Sequence, residues 1–291
     1  MARIAAVVVA LTVAGVLATV ISAPAEATAP AFVPAIAAQE PSPPDDPSAA
    51  RTKPTKAKPG ETKSTRAKAK SVAHRTTDPH LSSPGDAAST PAYHYAQLSQ
   101  AECETELVAR HIDFIRETAD PVLAPVRLTG PLHGVVFRSD ASDKARATSP
   151  YEIVDCRLVL ALDDFAAILS RHDIVEVRHY SMYRPPKPLL DGEIGKRHSG
   201  ALAIDTGRFY DRSGGELDVD RDFHGAIGAR TCGEGAAPRP ATDAALALRA
   251  ILCDTVDARL FNVVLTPNYN RPHKNHFHLE ITAGVTWFLV H

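Results

Sequence analysis

From about residue 95 onward, the spacing of apolar residues predicts three helices. Ser99 followed by Glu102 is a capping-box pattern, and apolar positions at helical spacing extend this first helix through Ile115. Further helices are predicted at about 164–171 and at 242–256, where apolar residues recur on one face.

Other segments are predicted as strands, because β-branched and aromatic residues alternate with polar ones or form short apolar runs. They span 126–138, 153–161, 174–183, 261–266 and 276–281. Strands and helices follow one another without a regular βαβ rhythm. The pattern therefore favours an α+β fold with an antiparallel β-sheet core flanked by helices.

The N-terminal part of the chain has a different composition. Arg3 is followed by an apolar run from Ile4 to Ile21 and by an Ala-x-Ala cleavage option at residues 25–27, which is the pattern of a secretory signal peptide over residues 1–27. The run is also long enough for an uncleaved membrane anchor. Both alternatives predict that the rest of the chain is exported and is periplasmic or secreted.

Residues 28–94 are rich in Pro, Ala, Ser, Thr and Lys, so this segment is predicted to be a disordered linker. Between Arg51 and Arg75 nine positive charges face one negative charge. This basic stretch either binds an anionic wall or membrane surface, or is a solvated spacer. From residue 96 onward the chain carries 22 Lys and Arg against 27 Asp and Glu. Nucleic acid is therefore not expected as a partner of the predicted domain at 95–291.

The four cysteines lie in the part of the chain that is predicted to be exported, where an even number favours disulfides. We expect Cys103 to pair with Cys156 and Cys232 to pair with Cys253. Four cysteines allow three connectivities, and buried free thiols are the alternative.

The residues with the clearest chemical potential lie in the segment HKNHFHLE at 273–280. In a strand, alternate side chains share a face, so His276, His278 and Glu280 are predicted to point the same way. The apolar side chains between them would face the core. Because neutral imidazoles are common zinc ligands, the polar face of this strand is a candidate metal site.

A second segment can supply the remaining ligands. In HSGALAID at 198–205, alternation places Asp205 on a strand face with only small side chains. Gly200 would let the backbone bend so that His198 reaches the same face. A histidine, an aspartate and a distant His-x-His form a ligand set suited to zinc. A hydrogen-bonded histidine cluster without metal is the alternative interpretation.

The closing segment RPHKNHFHLE, preceded by LTPNYN, resembles the final motif of the extensin-like C-terminal domain family of bacteria. HSGALAID resembles the central motif of that family, and Tyr183-Arg184 its upstream tyrosine- or cysteine-arginine pair. The resemblance covers roughly residues 96–288. That family is similar to the zinc superfamily of lysostaphin-type endopeptidases, D-alanyl-D-alanine peptidases, penicillin-insensitive murein endopeptidases and the hedgehog signalling domain. This similarity implies a hedgehog- or D-Ala-D-Ala-peptidase-like fold.

The resemblance implies that three side chains bind Zn²⁺: His198, Asp205 and His278. It implies a catalytic role for His276 beside the metal, and His273 matches a third histidine in the closing motif of the murein endopeptidases.

Three further positions have two interpretations each. Arg184 would hold a substrate carboxylate, or would be an ordinary surface arginine. Glu280 would orient an imidazole, or would form a salt bridge at the strand end. Asn275 departs from the D-alanyl-D-alanine dipeptidases, which have a glutamate general base there. The base would then be His276 or His273, or the protein would not turn over substrate.

The function implied is zinc-dependent hydrolysis of amide bonds in peptidoglycan peptides, by an endopeptidase or a carboxypeptidase. The alternative is a non-catalytic, zinc-containing module that binds the cell wall.

Overall fold

The computed structural model describes residues 81–82, 87–187 and 194–291 of the 291-residue chain. Its α-helices are α1 (Pro91–Gln97), α2 (Gln100–Ala109), α3 (Asp143–Arg146), α4 (Cys156–Arg171), α5 (Val219–Asp222) and α6 (Asp243–Asp257). Its strands are β1 (Leu81–Ser82), β2 (Phe114–Arg116), β3 (Pro125–Leu128), β4 (Val136–Ser139), β5 (Val154–Asp155), β6 (Ile174–His179), β7 (Ala203–Asp211), β8 (Glu216–Asp218), β9 (Val263–Leu265), β10 (Phe277–Glu280) and β11 (Phe288–Val290).

The predicted signal peptide and most of the predicted linker lie outside the described residues. Helix α1 begins at Pro91, so helical structure is present just ahead of residue 95. Among the residues that the structure describes, no helix is both long enough and apolar enough to cross a bilayer.

The strands form two sheets. The larger has eight strands in the order β1-β11-β9-β10-β7-β6-β4, with β8 beside β7, and the smaller has the order β2-β3-β5. Most pairings are antiparallel, but β4 with β6 and β9 with β11 are parallel. The α+β class is confirmed, whereas the prediction of an antiparallel sheet is correct only in part. Helix α4 forms the crossover connection between β4 and β6, and a connection of this kind allows the two strands to run parallel.

Helix α4 is buried in the core, and here the sequence prediction was wrong. The pattern predicted a strand at 153–161 and a helix from 164, whereas the helix already begins at Cys156. Its first turns are buried on all sides, so no amphipathic period distinguishes the run from a buried strand. Asp155 starts the helix by accepting the backbone N–H of Arg157 at 3.0 Å, and it also pairs with the Arg157 guanidinium.

The predicted beginnings of two other helices are confirmed. Ser99 and Glu102 form both hydrogen bonds of a capping box at the start of α2. Thr242 caps α6 by accepting a backbone N–H of the first turn. Local hydrogen bonds therefore start these helices where the sequence indicates.

Two predicted elements are shorter than the pattern suggested. Helix α2 ends at Ala109, because His111 takes a left-handed φ of 57° and the chain turns into β2, which contains Ile115. The predicted strand at 126–138 is divided into β3 and β4 by a turn. In both places a reversal of the chain interrupts a continuous apolar pattern.

Both predicted disulfides are present. Cys103–Cys156 joins α2 to the start of α4, and Cys232–Cys253 joins a loop to α6. Aromatic packing links α4 to the large sheet, since the Phe165 ring contacts the rings of Phe137 and Phe261. Phe165 of α4 and the apolar side chains Ile204 and Leu279 of strands β7 and β10 belong to one hydrophobic core.

Candidate metal centre

The candidate site lies on two neighbouring strands of the large sheet. Strands β7 and β10 pair antiparallel, and their register places His278 opposite Asp205 and Leu279 opposite Ile204. Side chains alternate along a strand, so His278 and Asp205 share one face. Leu279 and Ile204, both fully buried, pack into the core on the other face. The strand register therefore brings together two ligands that are 73 positions apart.

His198 reaches this face from a short 3₁₀ helix, Arg197–Gly200. The bend is made by Arg197 and Ala201, whose φ angles of 51° and 53° are left-handed, and not by Gly200 as the sequence suggested. Gly200 is needed for a different reason. A Cβ at this position would come within 2.1 Å of the Gly195 carbonyl oxygen, so the turn depends on close contact between two backbone segments.

The three predicted ligands form a compact triangle. His198 Nε2 lies 3.1 Å from Asp205 Oδ1 and 3.3 Å from His278 Nδ1, and the last two atoms are 2.9 Å apart. In a tetrahedral zinc site with bonds of about 2.0 Å, ligand atoms lie about 3.3 Å from one another. The structure therefore places these atoms at a spacing that suits one small divalent ion.

The remaining nitrogen of each imidazole also faces an acceptor. His198 Nδ1 is 2.9 Å from the Met182 carbonyl oxygen, and His278 Nε2 is 3.0 Å from Glu280 Oε2. Each ring lies between two acceptors, because its other nitrogen faces Asp205 Oδ1, and a neutral imidazole can donate to only one of them. In the tautomers that donate to Met182 and Glu280, His198 Nε2 and His278 Nδ1 direct lone pairs towards Asp205 Oδ1. Three acceptors then meet with no hydrogen between them, and the cluster needs a cation, either a metal ion or an added proton.

The charges of the cluster shift its pKa values. Burial opposes ionisation of Asp205, but in the metal-free cluster the hydrogen bonds that His198 and His278 can donate to it outweigh burial and hold the pKa of Asp205 well below its usual range. Burial also disfavours a charged His278, yet hydrogen bonds to Asp205 and Glu280 raise the His278 pKa. The hydrogen bond with His278 lowers the pKa of Glu280 in spite of burial. The two carboxylates therefore favour a positive charge between them.

His276 and His273 lie beside the triangle. His276 Nε2 is 3.4 Å from Asp205 Oδ1, and its Nδ1 is 2.9 Å from the side-chain oxygen of Asn275. The His273 ring centroid lies 5.1 Å from that of His276 and 5.8 Å from that of His278. Burial and the neighbouring imidazoles lower the pKa of His273 to about 4, and burial lowers the pKa of His276. Both rings are neutral at pH 7 and can accept a proton.

Arg184 contacts a ligand directly. Its Nη2 hydrogen-bonds to Asp205 Oδ2, its Nε donates to Ser181 Oγ at 2.8 Å, and half of its side chain is exposed. The guanidinium therefore supports the carboxylate of the cluster while one side of it faces solvent.

Glu280 makes both of the contacts considered from the sequence. It orients His278 through the hydrogen bond described above, and its Oε1 accepts from the Thr282 hydroxyl at 2.7 Å. The Arg197 side chain lies 3.7 Å from Glu280 Oε2. The contact of Glu280 with the His278 imidazole, at 3.0 Å, is therefore shorter than its contact with Arg197.

Sequence reasoning missed Tyr180 and Asn270. The Tyr180 ring packs edge-on against the ring of His276, with 5.9 Å between centroids. Asn270 Oδ1 accepts a hydrogen bond from His273 Nδ1 at 2.6 Å. A signal was available for both, because Tyr180 lies in the predicted strand 174–183 and Asn270 closes the LTPNYN segment, but neither residue type indicates a site by itself.

Comparison with known proteins gives one match. A family model described as Extensin-like protein C-terminus matches residues 96–288, a range that contains the whole cluster. No curated protein and no solved structure matches the chain.

Proposed function

The chain belongs to the extensin-like C-terminal family, and we propose that it is an exported, zinc-dependent peptidase that hydrolyses amide bonds in peptidoglycan peptides. A relationship to the D-alanyl-D-alanine peptidase and hedgehog superfamily is part of the same proposal, as is a periplasmic or secreted location. The basic linker would hold the domain near an anionic wall or membrane surface.

One observation carries the proposal. One nitrogen each of His198 and His278 and one oxygen of Asp205 converge within 3.3 Å of one another in a buried site. The other nitrogen of each imidazole faces a fixed acceptor to which it can donate, as in metal-binding histidines generally. Two imidazoles and one carboxylate are a donor set that zinc prefers, and three protein ligands are typical of a catalytic zinc.

When bound, zinc would polarise the scissile carbonyl and lower the pKa of a water molecule. The chain itself must then move a proton. The side-chain oxygen of Asn275 holds the proton of His276 on Nδ1, so His276 Nε2 carries a lone pair and faces the cluster. This tautomer suits His276 as general base, a role worth about 10²- to 10⁴-fold in rate. Asn270 holds His273 in the same tautomer, which makes His273 the second candidate.

Charged neighbours keep the ligands in their binding form. The Arg184 guanidinium neutralises one oxygen of Asp205, which keeps the carboxylate ionised and leaves Oδ1 directed at the two imidazoles. The exposed side of Arg184 can also meet a substrate carboxylate.

Asn275 favours a second candidate function, a non-catalytic, zinc-containing module that binds the cell wall. An amide cannot take up a proton at neutral pH, so the general base of the dipeptidases has no direct counterpart at this position. In such a module zinc would serve to join the 197–200 turn to strands β7 and β10.

Metal content and digestion of sacculi, measured on the full-length protein, test both candidates. We expect stoichiometric zinc in the wild type and its loss in His198→Ala. The control His172→Ala removes a histidine that pairs with Asp254 away from the cluster, and should keep the metal. The wild type should release new amino groups from sacculi, and His198→Ala should not. Zinc uptake without products would favour the binding module, and absence of zinc uptake would refute both candidates.

A further inference from the structure

We propose that the site acts within an extended anionic chain, which lies across two clefts and carries an acidic group on each side of the scissile amide. This inference rests on the proposed function and deepens it, because it selects an internal bond over a terminal one.

The first cleft lies beside the cluster and has a volume of about 560 Å³. We call it the Tyr151 cleft; Tyr151 and Tyr180 supply aromatic surface, and Arg184 and Lys187 supply positive charge. Both tyrosines are about two-fifths exposed, at 44% and 42%. Rigid, amphipathic rings of this kind supply contact area to a ligand at low conformational-entropy cost. Within the part of the chain that the structure describes, the exposed Lys187 ammonium has no carboxylate partner.

The second cleft has a volume of about 350 Å³, and we call it the Ile227 cleft. Ile227 is 68% exposed, and Arg271 and Lys274 lie on the same cleft. Lys274 is 3.4 Å from Asp220, which offsets its charge. Among the described residues, the exposed Arg271 guanidinium has no carboxylate partner, so it remains available to an acidic ligand.

A continuous row of side chains connects the two clefts. Tyr180 lines the Tyr151 cleft and contacts His276, whose ring centroid is 5.1 Å from that of His273. His273 hydrogen-bonds to Asn270, which lines the Ile227 cleft. The candidate base and its neighbour therefore lie between the clefts.

This arrangement distinguishes an internal bond from a terminal one. A peptide that ended at the scissile residue would fill only one cleft, and the cation of the other would gain no partner. A longer peptide with acidic groups on both sides would place one group near Lys187 and the other near Arg271. Each exposed pairing of this kind is expected to change affinity by about two- to fivefold.

Binding of labelled peptides to the zinc-treated, full-length protein tests the inference. The probes contain a central Ala-Ala amide, in L or D form, with glutamate on both sides, on one side or on neither, glutamine being the replacement. A truncated set ends directly after the central amide. Fluorescence anisotropy gives Kd, and mass spectrometry of the same samples shows cleavage. The variants are Lys187→Ala, Arg271→Ala and, as a control outside both clefts, Arg171→Ala.

We expect the doubly acidic, full-length peptide to bind tightest and each Glu-to-Gln change to weaken binding about two- to fivefold. Lys187→Ala should abolish the effect of one glutamate and Arg271→Ala that of the other, whereas Arg171→Ala should change neither. Equal binding of truncated and long peptides, charge dependence on one side only, or no binding would overturn the inference. Charge-dependent binding without cleavage would support binding across the two clefts. It would count only against the proposed peptidase function.

Discussion

Replacing Glu280 by glutamine is expected to weaken zinc binding without disturbing the fold. Glu280 Oε2 accepts from His278 Nε2 at 3.0 Å, and Oε1 accepts from the Thr282 hydroxyl at 2.7 Å. A glutamine oxygen can still accept from His278, and the Thr282 hydroxyl can rotate to accept from the new NH₂ group. The substitution therefore removes a negative charge while the hydrogen bonds remain possible.

The size of the effect follows from the role of Glu280. A partner that orients a metal-binding histidine is typically worth 10- to 100-fold in metal affinity. Because the hydrogen bond survives in Glu280→Gln, we expect about a tenfold loss, or about 1.4 kcal/mol. Glu280→Ala also loses the hydrogen bond and should lose about 100-fold, or about 2.7 kcal/mol. Competition with a chelator at pH 8 measures both values.

The pH dependence of this effect gives a second test. In the metal-free protein the pKa of His278 is raised, because its bonds to Asp205 and Glu280 outweigh burial, so a proton competes with the metal as pH falls. Removal of the Glu280 charge lowers this pKa and weakens the competition. The loss of zinc affinity caused by Glu280→Gln should therefore be smaller at pH 6 than at pH 8.

A matched control is Glu216→Gln, which changes a carboxylate bonded to the Tyr210 hydroxyl away from the cluster. It should bind zinc like the wild type. Wild-type affinity in Glu280→Ala at pH 8 would refute the argument that this carboxylate orients a metal ligand.

Three other predictions concern stability and the turn that carries His198. Glu152 is buried, but its partners, first His179, outweigh burial and lower its pKa to about 2. This stabilises the fold by roughly 3 kcal/mol above about pH 4.5, and the stabilisation is lost as pH falls towards 2. Urea unfolding should therefore show that Glu152→Gln is less stable than the wild type at pH 7 and that the difference shrinks in acid; a constant difference would contradict this. Replacing both Cys103 and Cys156 by alanine should lower the free energy of unfolding by about 4 kcal/mol, because the disulfide spans 53 positions, and an unchanged urea midpoint would contradict it. Gly200→Ala should reduce zinc affinity by more than tenfold, since its Cβ would meet a backbone carbonyl oxygen at 2.1 Å and displace the 197–200 turn; titration with zinc checks this.

Local signals in the sequence predicted part of the fold correctly. The capping box of Ser99 and Glu102 starts α2 where expected, and Thr242 starts α6, because each N-cap bonds to the backbone of its own first turn. The beginning of α4 was missed, since its apolar run is buried on every side and carries no helical period. A buried helix and a buried strand of this length have the same hydrophobic pattern.

At the candidate site, too, the sequence predicted correctly what depends on local geometry and missed what depends on distant segments. Alternation in HKNHFHLE separated the polar side chains of His276, His278 and Glu280 from the apolar ones, because strand geometry is local. The turn that carries His198 was predicted to bend at Gly200, whereas Arg197 and Ala201 make the bend. The need for Gly200 arises from a neighbouring backbone segment, which no local pattern reveals.

The sequence by itself determined the residue types of the cluster, the face that each strand presents, and the starts of two helices. These depend on interactions within a few positions along the chain. Only the tertiary structure decided that His278 lies opposite Asp205, that Asn275 and Asn270 hold the tautomers of two histidines, and that a cleft lies on each side of them. Those features depend on strand register and on loops brought together by the core, and contacts between distant segments are not encoded in any short pattern.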